Sequence, residues 1–143
     1  MKRVVLDTNI FISATFWKGK PRQVVDVFAA RRALLLLSED ILGELERKLT
    51  HKKFANELTE SGLTIAAMMS DLRTLAEIVT PASVPTEEIR DPKDRIILAC
   101  AVGGDADYIV SGDHDLTVLK AYGNIVILTP AQFLTTMGTS DHG

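Results

Sequence analysis

Apolar residues gather into short unbroken runs separated by amphipathic stretches. Val4-Val5-Leu6, Ala33 to Leu37, Tyr108-Ile109-Val110 and Ile125 to Leu128 are apolar throughout. Runs of this length, closed by an acid or a turn residue, predict strands buried on both faces. A weaker strand is expected near Ile78-Val79. Between the runs the period changes. Pro21 to Arg32 sets Val24, Val25, Val27, Phe28 and Ala29 against Arg22, Gln23 and Arg31, and proline suits a first helical turn. Ser38 is placed to cap a helix from Glu39 to Leu49, with Ile41, Leu45 and Leu49 on one stripe. A basic helical segment, Thr50 to Glu57, follows. Ser61 is expected to cap a long helix whose stripe includes Ile65, Met68, Met69, Leu72 and Leu75; the methionines read as core filling.

Thr80 to Pro85 reads as a loop. Pro92 opens a helix through Ile96, Ile97 and Cys100 that Gly103-Gly104 terminates. Leu116 to Ala121 predicts a short helix, and Thr129-Pro130 starts a last one carrying Phe133 and Leu134. Apolar strands alternating with helices imply a parallel sheet covered on both sides. The expected fold is α/β, a three-layer α/β/α sandwich with about five strands. Residues 1–137 form its single domain, and 138–143, small and polar, read as a flexible tail.

In an open parallel sheet the strand ends and the starts of the following helices share one edge, where ligands bind. Asp7 directly follows the first strand. Asp113 follows Tyr108-Ile109-Val110, within Ser111-Gly112-Asp113-His114-Asp115. Asp94 lies in the first turn of the Pro92 helix. Glu44 lies about 60° of helical rotation from Ile41, on the border of the apolar stripe. Glu39, Asp40 and Glu46 point elsewhere. An Asp after a strand is commonly only a cap, but four acids from separate βα units aimed at one edge conflict electrostatically. A bound divalent cation removes the conflict. Hard oxygen donors without a nearby thiolate favour Mg²⁺ or Mn²⁺ over zinc, and one or two such ions suit in-line attack on a phosphodiester.

Composition narrows the field. The chain has 143 residues, 16 Lys plus Arg against 19 Asp plus Glu, and a formal net charge of −3, so it is not a polybasic nucleic-acid binder; any contact with RNA must be local or through bound cations. Its single cysteine, Cys100, excludes an intramolecular disulfide and a cysteine zinc cage. The N-terminal apolar run is too short for a signal peptide, and no stretch is long enough to span a membrane, so a cytoplasmic protein is expected. Basic residues cluster near the acidic edge. Lys18, Lys20 and Arg22, with Phe16 and Trp17, are placed on a loop after the first strand. Arg47, Lys48, His51, Lys52 and Lys53 follow Glu44. Lysines and arginines there are candidates for phosphate contacts, and Trp17 or Phe16 for stacking on an unpaired base, although packing inside the protein or against a partner is the commoner use of such rings. His114 is a candidate base that a metal-activated water makes unnecessary.

Asp7-Thr8-Asn9, Ser38-x-x-Ile41-Leu42-x-Glu44-Leu45, Asp91-Pro92-x-Asp94 and Ala106 to Leu116 together resemble the PIN domain, from about Lys2 to Phe133. More narrowly, they look like the bacterial PIN-family toxins related to VapC. The resemblance implies a Mg²⁺/Mn²⁺-dependent ribonuclease, the toxin of a type II toxin–antitoxin pair, with a protein antitoxin as partner and a homodimer as its assembly. It also implies roles. Asp7, Glu44, Asp94 and Asp113 match the acidic quartet that holds metal. Asn9 and Ser111 match polar helpers, Ser111 standing where threonine is frequent. Asp115 stands as a fifth acid and Asp91 as a supporting or capping group.

Three rivals are weaker. A haloacid-dehalogenase-type phosphatase needs a second Asp where Asn9 stands. A receiver domain needs a Lys after the last strand, where Thr129-Pro130 stands. A catalytically inactive PIN-like binding module would be marked by a lost acid, and none of the four is lost.

Overall fold

A computed structural model describes residues 1–138; the tail expected over 138–143 lies, from residue 139 on, outside the described residues. Six strands form one sheet: β1 (Arg3–Leu6), β2 (Leu34–Leu37), β3 (Glu77–Ile78), β4 (Tyr108–Val110), β5 (Ala121–Tyr122) and β6 (Ile125–Leu128), in the order β3-β2-β1-β4-β6-β5. All neighbours are parallel except β5 and β6. Val5 in the central strand pairs with Leu36 on one side and Ile109 on the other. Val4, Val5 and Leu6 are all fully buried. Successive strand residues point to opposite faces, so helices must cover both. Helix α6 (Pro92–Gly103) packs along β1, β2 and β4, while α2 (Lys20–Ala29) packs between α1 (Thr8–Phe16) and α8 (Pro130–Thr136). Phe28 of α2 stacks on Phe133 of α8, with ring centroids 5.9 Å apart.

The layered α/β architecture matches the expectation, and several elements refine it. The stretch expected as a loop after β1 is the helix α1. Its Ile10, Phe11 and Ile12 are all buried, so burial on several sides erases the one-sided stripe that would have marked it. The true loop is Trp17-Lys18-Gly19, and Lys20 and Arg22 sit on α2. After α3 (Glu39–Leu49), the basic segment is a single 3₁₀ turn (Lys52–Phe54) followed by α4 (Ala55–Ser61). Ser61 ends α4 rather than starting a helix. Gly62, at φ 71°, breaks the chain in a left-handed turn, and Thr64 caps α5 (Ile65–Leu75) through the Ala67 N–H at 3.1 Å. The short helix α7 runs from His114 to Thr117. The chain then turns back through Gly123, at φ 60°, to add β5 as an antiparallel edge, the sixth strand.

The strand order sets the location of the site. From β1 the chain moves outward to β2 and β3, then returns to place β4 on the other side of β1. The connections leaving β1 and β4 thus part in opposite directions, opening a crevice between their C-terminal ends. Asp7 follows β1 there, and Ser111 follows β4.

Candidate active site

Asp7 ends β1 and caps α1. Its backbone N–H donates to the Val110 carbonyl at 3.0 Å, which keeps the residue in the sheet ladder up to the crevice. The residue is 9% exposed. Oδ2 accepts from the Ser111 hydroxyl at 2.9 Å across the crevice, and Oδ1 accepts from the Asn9 N–H at 3.3 Å. The Ser111 oxygen in turn accepts from the Asp113 N–H at 2.9 Å. Asp7, Ser111 and Asp113 thus form one hydrogen-bonded chain that ties the end of β1 to the end of β4. Asp113 caps α7, accepting from the Asp115 N–H at 2.9 Å.

Glu44 comes from α3, whose start is fixed by the Ser38 hydroxyl accepting from the Ile41 N–H at 3.2 Å. Its side chain is 12% exposed; Oε2 pairs with Arg47 at 2.6 Å. Oε1 is buried and has no hydrogen-bond partner. Its nearest cation is the Lys48 ammonium, 3.9 Å away. Asp94 lies in the first turn of α6, behind the Asp91 cap that accepts from the Lys93 N–H at 3.0 Å, and is 8% exposed. Burial, then the charges of Asp91, Asp113, Asp7 and Asp115, push its carboxyl from the usual 3.8 up to about 6. The acids at the starts of three helices, α1, α6 and α7, thus act on one buried carboxyl.

Asp7, Glu44, Asp94 and Asp113 line a single cleft with Lys48 and Lys93. Its free volume is about 20 Å³, room for one water-sized occupant. Among the described residues no three acidic, histidine or cysteine side chains, as they lie, enclose an ion. Lys48 explains part of the spacing. Its ammonium donates to Thr8 Oγ1 at 2.7 Å and to Asn9 Oδ1 at 3.1 Å. A cation of the chain itself therefore rests on the oxygens beside Asp7 and Glu44. Burial lowers the Lys48 pKa, while the charges of Asp7 and Glu44 work to raise it. The donor chemistry fits a hard divalent ion: every candidate ligand is an oxygen, and Glu44 Oε1 is a buried acceptor without a donor.

The other expected residues fall into three groups. Asn9 and Ser111 lie in the site. Asp91 caps α6, and Asp115 is exposed, its charge felt by Asp94. His114 is exposed on α7. Of the basic candidates, Lys48 lies inside the cleft and Arg47 is engaged with Glu44, while Arg22 lines an apolar groove of about 320 Å³ among α1, α2, α3 and α5. Lys18, Lys20, Lys52 and Lys53 are exposed. The structure also adds Thr8 and Lys93 to the cleft. Thr8 had a signal in the sequence, a hydroxyl next to Asp7, and Lys93 stands next to Asp94.

A family model described as PIN domain matches residues 3–115, a span that contains all four cleft acids. The chain belongs to the PIN-domain family. PIN domains are generally nucleases, and in this PIN domain the acids meet at the crevice where the sheet topology reverses. A comparison with curated proteins finds no match. Among the described residues no helix is long and apolar enough to cross a membrane.

Proposed function

We propose that this PIN domain is a divalent-metal-dependent endoribonuclease acting on single-stranded RNA, and that it serves as the toxin of a type II toxin–antitoxin pair. The observation that carries the nuclease chemistry is the convergence of Asp7, Glu44, Asp94 and Asp113, from four different elements, on one cleft. One or two bound Mg²⁺ or Mn²⁺ ions would neutralise these carboxylates, lower the pKa of the attacking water and balance the charge of the phosphate. The residues of the chain do the rest. Asp7, Glu44 and Asp94 offer oxygen ligands from a desolvated wall, and Asp113 completes the set. Ser111 fixes the Asp7 carboxylate and, through its own oxygen, the Asp113 backbone. Lys48 and Lys93 set two ammonium groups beside the carboxylates, where a phosphodiester's negative charge is otherwise repelled.

What supports the toxin role is the resemblance of the four motifs to VapC-like members; a protein antitoxin and a second copy of the chain are its proposed partners. The test is cleavage of a labelled single-stranded RNA with Mg²⁺, with Mn²⁺ and in excess chelator, beside the same sequence as DNA. RNA should be cut only with an ion present. Equal cutting in chelator sinks the metal mechanism, and equal cutting of DNA sinks the preference for RNA. For the toxin role, induced expression should arrest growth, and the Asp94→Ala form should not; growth indifferent to the wild type removes it.

A further inference from the structure

Trp17 is the only tryptophan in the chain, and it is 54% exposed. It follows α1 directly, at the opposite end of that helix from Asp7. Its ring meets Phe16 edge-on, with centroids 5.7 Å apart, and Phe16 stacks on Phe54 at 5.2 Å and 14°. Phe54 is buried, at 8% exposure. An aromatic base rooted in the core thus supports a large ring that faces water. The Lys53 ammonium lies 5.1 Å from the Phe54 ring centroid, and Lys18, Lys20 and Lys52 are exposed on the neighbouring turns. The ion pairs among the described residues are Arg3–Glu77, Arg47–Glu44, Lys48–Glu44 and Arg73–Glu39; none takes up these four lysines.

We propose that Trp17 is a stacking platform for an unpaired base of single-stranded RNA, with Lys18, Lys20, Lys52 and Lys53 meeting the flanking phosphates. The platform rests on the ribonuclease function proposed above and adds to it a direction for the strand, along α1 from Trp17 to the acidic cleft. The nine residues of α1 span about 13 Å, which about four stacked nucleotides cover at about 3.4 Å each. A base inside a duplex already has both faces stacked and has none to offer Trp17, so the platform selects single strands. The free lysines favour a polyanion over an apolar protein surface, which would leave four ammonium groups without counter-charge. The chain's net charge of −3 makes such a local basic patch the natural place for phosphates to land.

Because Trp17 is the sole tryptophan, its fluorescence reports the contact directly. The Asp94→Asn protein, expected to bind without cutting, is titrated in Mg²⁺ with an end-labelled single-stranded RNA of ten nucleotides and, separately, with a duplex of the same sequence. Anisotropy of the label reports binding, and tryptophan emission reports stacking. The single strand should quench Trp17 along the binding curve, and the bound duplex should not. Trp17→Ala in that background should weaken single-strand binding roughly 5- to 150-fold, with Trp17→Phe recovering part of the loss. Bound RNA without quenching, or unchanged affinity in Trp17→Ala, overturns the platform. So does a concentration-dependent self-association that Trp17→Ala abolishes while RNA binding stays intact, which would make the ring a protein contact. A wild-type protein that cuts RNA but shows no quenching in this format loses the platform alone. A protein that neither binds nor cuts RNA in any condition loses the ribonuclease function with it.

Discussion

Both ends of the sheet carry acids, and they treat them in opposite ways. At the N-terminal end, Asp107 Oδ2 accepts from the Arg3 backbone N–H at 2.8 Å. Arg3 is a clasp: its Nε donates to the Gly104 carbonyl at 2.8 Å, and its Nη2 pairs with Glu77 at 2.7 Å. Acids there meet backbone donors and a guanidinium, and Arg3 is held firmly enough in its charged state that its pKa rises, chiefly through Glu77. At the C-terminal end, Glu44 Oε1 is buried without a hydrogen-bond partner, and the Asp94 carboxyl is pushed up to about 6. The difference teaches where structure ends and function begins. The acids around Arg3 are met by its backbone and guanidinium donors, whereas at the cleft Arg47 and Lys48 serve Glu44 only in part, leaving Oε1 without a hydrogen bond, and the Asp94 carboxyl is raised among further acids, an arrangement that an added cation would relieve.

The contrast can be broken from either end. The largest effect is expected from Asp7→Asn, which keeps the size of the side chain but removes its charge. RNA cleavage should fall by at least about a hundredfold, with the circular dichroism spectrum unchanged; full activity would remove Asp7 from the site. Ser111→Ala comes next. It cuts the hydrogen-bonded chain between Asp7 and Asp113 without touching a proposed ligand, so activity or Mn²⁺ affinity should drop about 10- to 100-fold. A drop in stability alone would make Ser111 a purely structural link.

The metal-free protein gives a third, smaller handle. Asp94 titrates near 6 in the fold against 3.8 in its unperturbed form. Its folded pKa is raised, so its contribution to stability is fully present below the unfolded pKa and is lost as pH rises through about 6. In chelator, urea denaturation from pH 4 to 7 should show the wild type losing stability relative to Asp94→Asn across that window. Added Mn²⁺ should reverse the difference at pH 7. Parallel curves for the two proteins would mean that neither burial nor the other acids raise the Asp94 carboxyl.

The smallest effect belongs to the other end of the sheet. Arg3→Ala should cost about 1 kcal/mol of stability, read as a drop in Tm of a few degrees. It should leave RNA cleavage per folded molecule unchanged. A loss of cleavage as large as that of Asp7→Asn would erase the distinction between the two ends.

The site was legible in the sequence to the extent that the sheet was. Val4-Val5-Leu6 and Tyr108-Ile109-Val110 mark buried parallel strands, and a residue just past such a strand must lie on the ligand-binding edge. Asp7 and Asp113 follow from that rule, Asp94 from the start of its helix, and Glu44 from its place on the border of the apolar stripe of α3. Side-chain direction was not legible. Lys48 is visible as an i+4 partner of Glu44, but only the packing of α3 against α1 brings its ammonium to Thr8 and Asn9. Arg22, expected on a loop, sits instead on α2, where it is exposed and also lines the apolar groove. The same lost helix signal kept α1 hidden, because Ile10, Phe11 and Ile12 are buried without a polar face among them. β5 escaped because two residues carry no period, and only Gly123 hints at the hairpin.

The central claim is that the acids at the C-terminal end of the sheet hold a divalent cation. Anomalous scattering from crystals soaked in Mn²⁺ tests it most directly. A peak is expected in the cleft bounded by Asp7, Glu44, Asp94 and Asp113, and it should weaken or vanish in Asp94→Asn crystals soaked alongside. A protein that cuts RNA in Mn²⁺ yet shows no peak in that cleft would contradict the account.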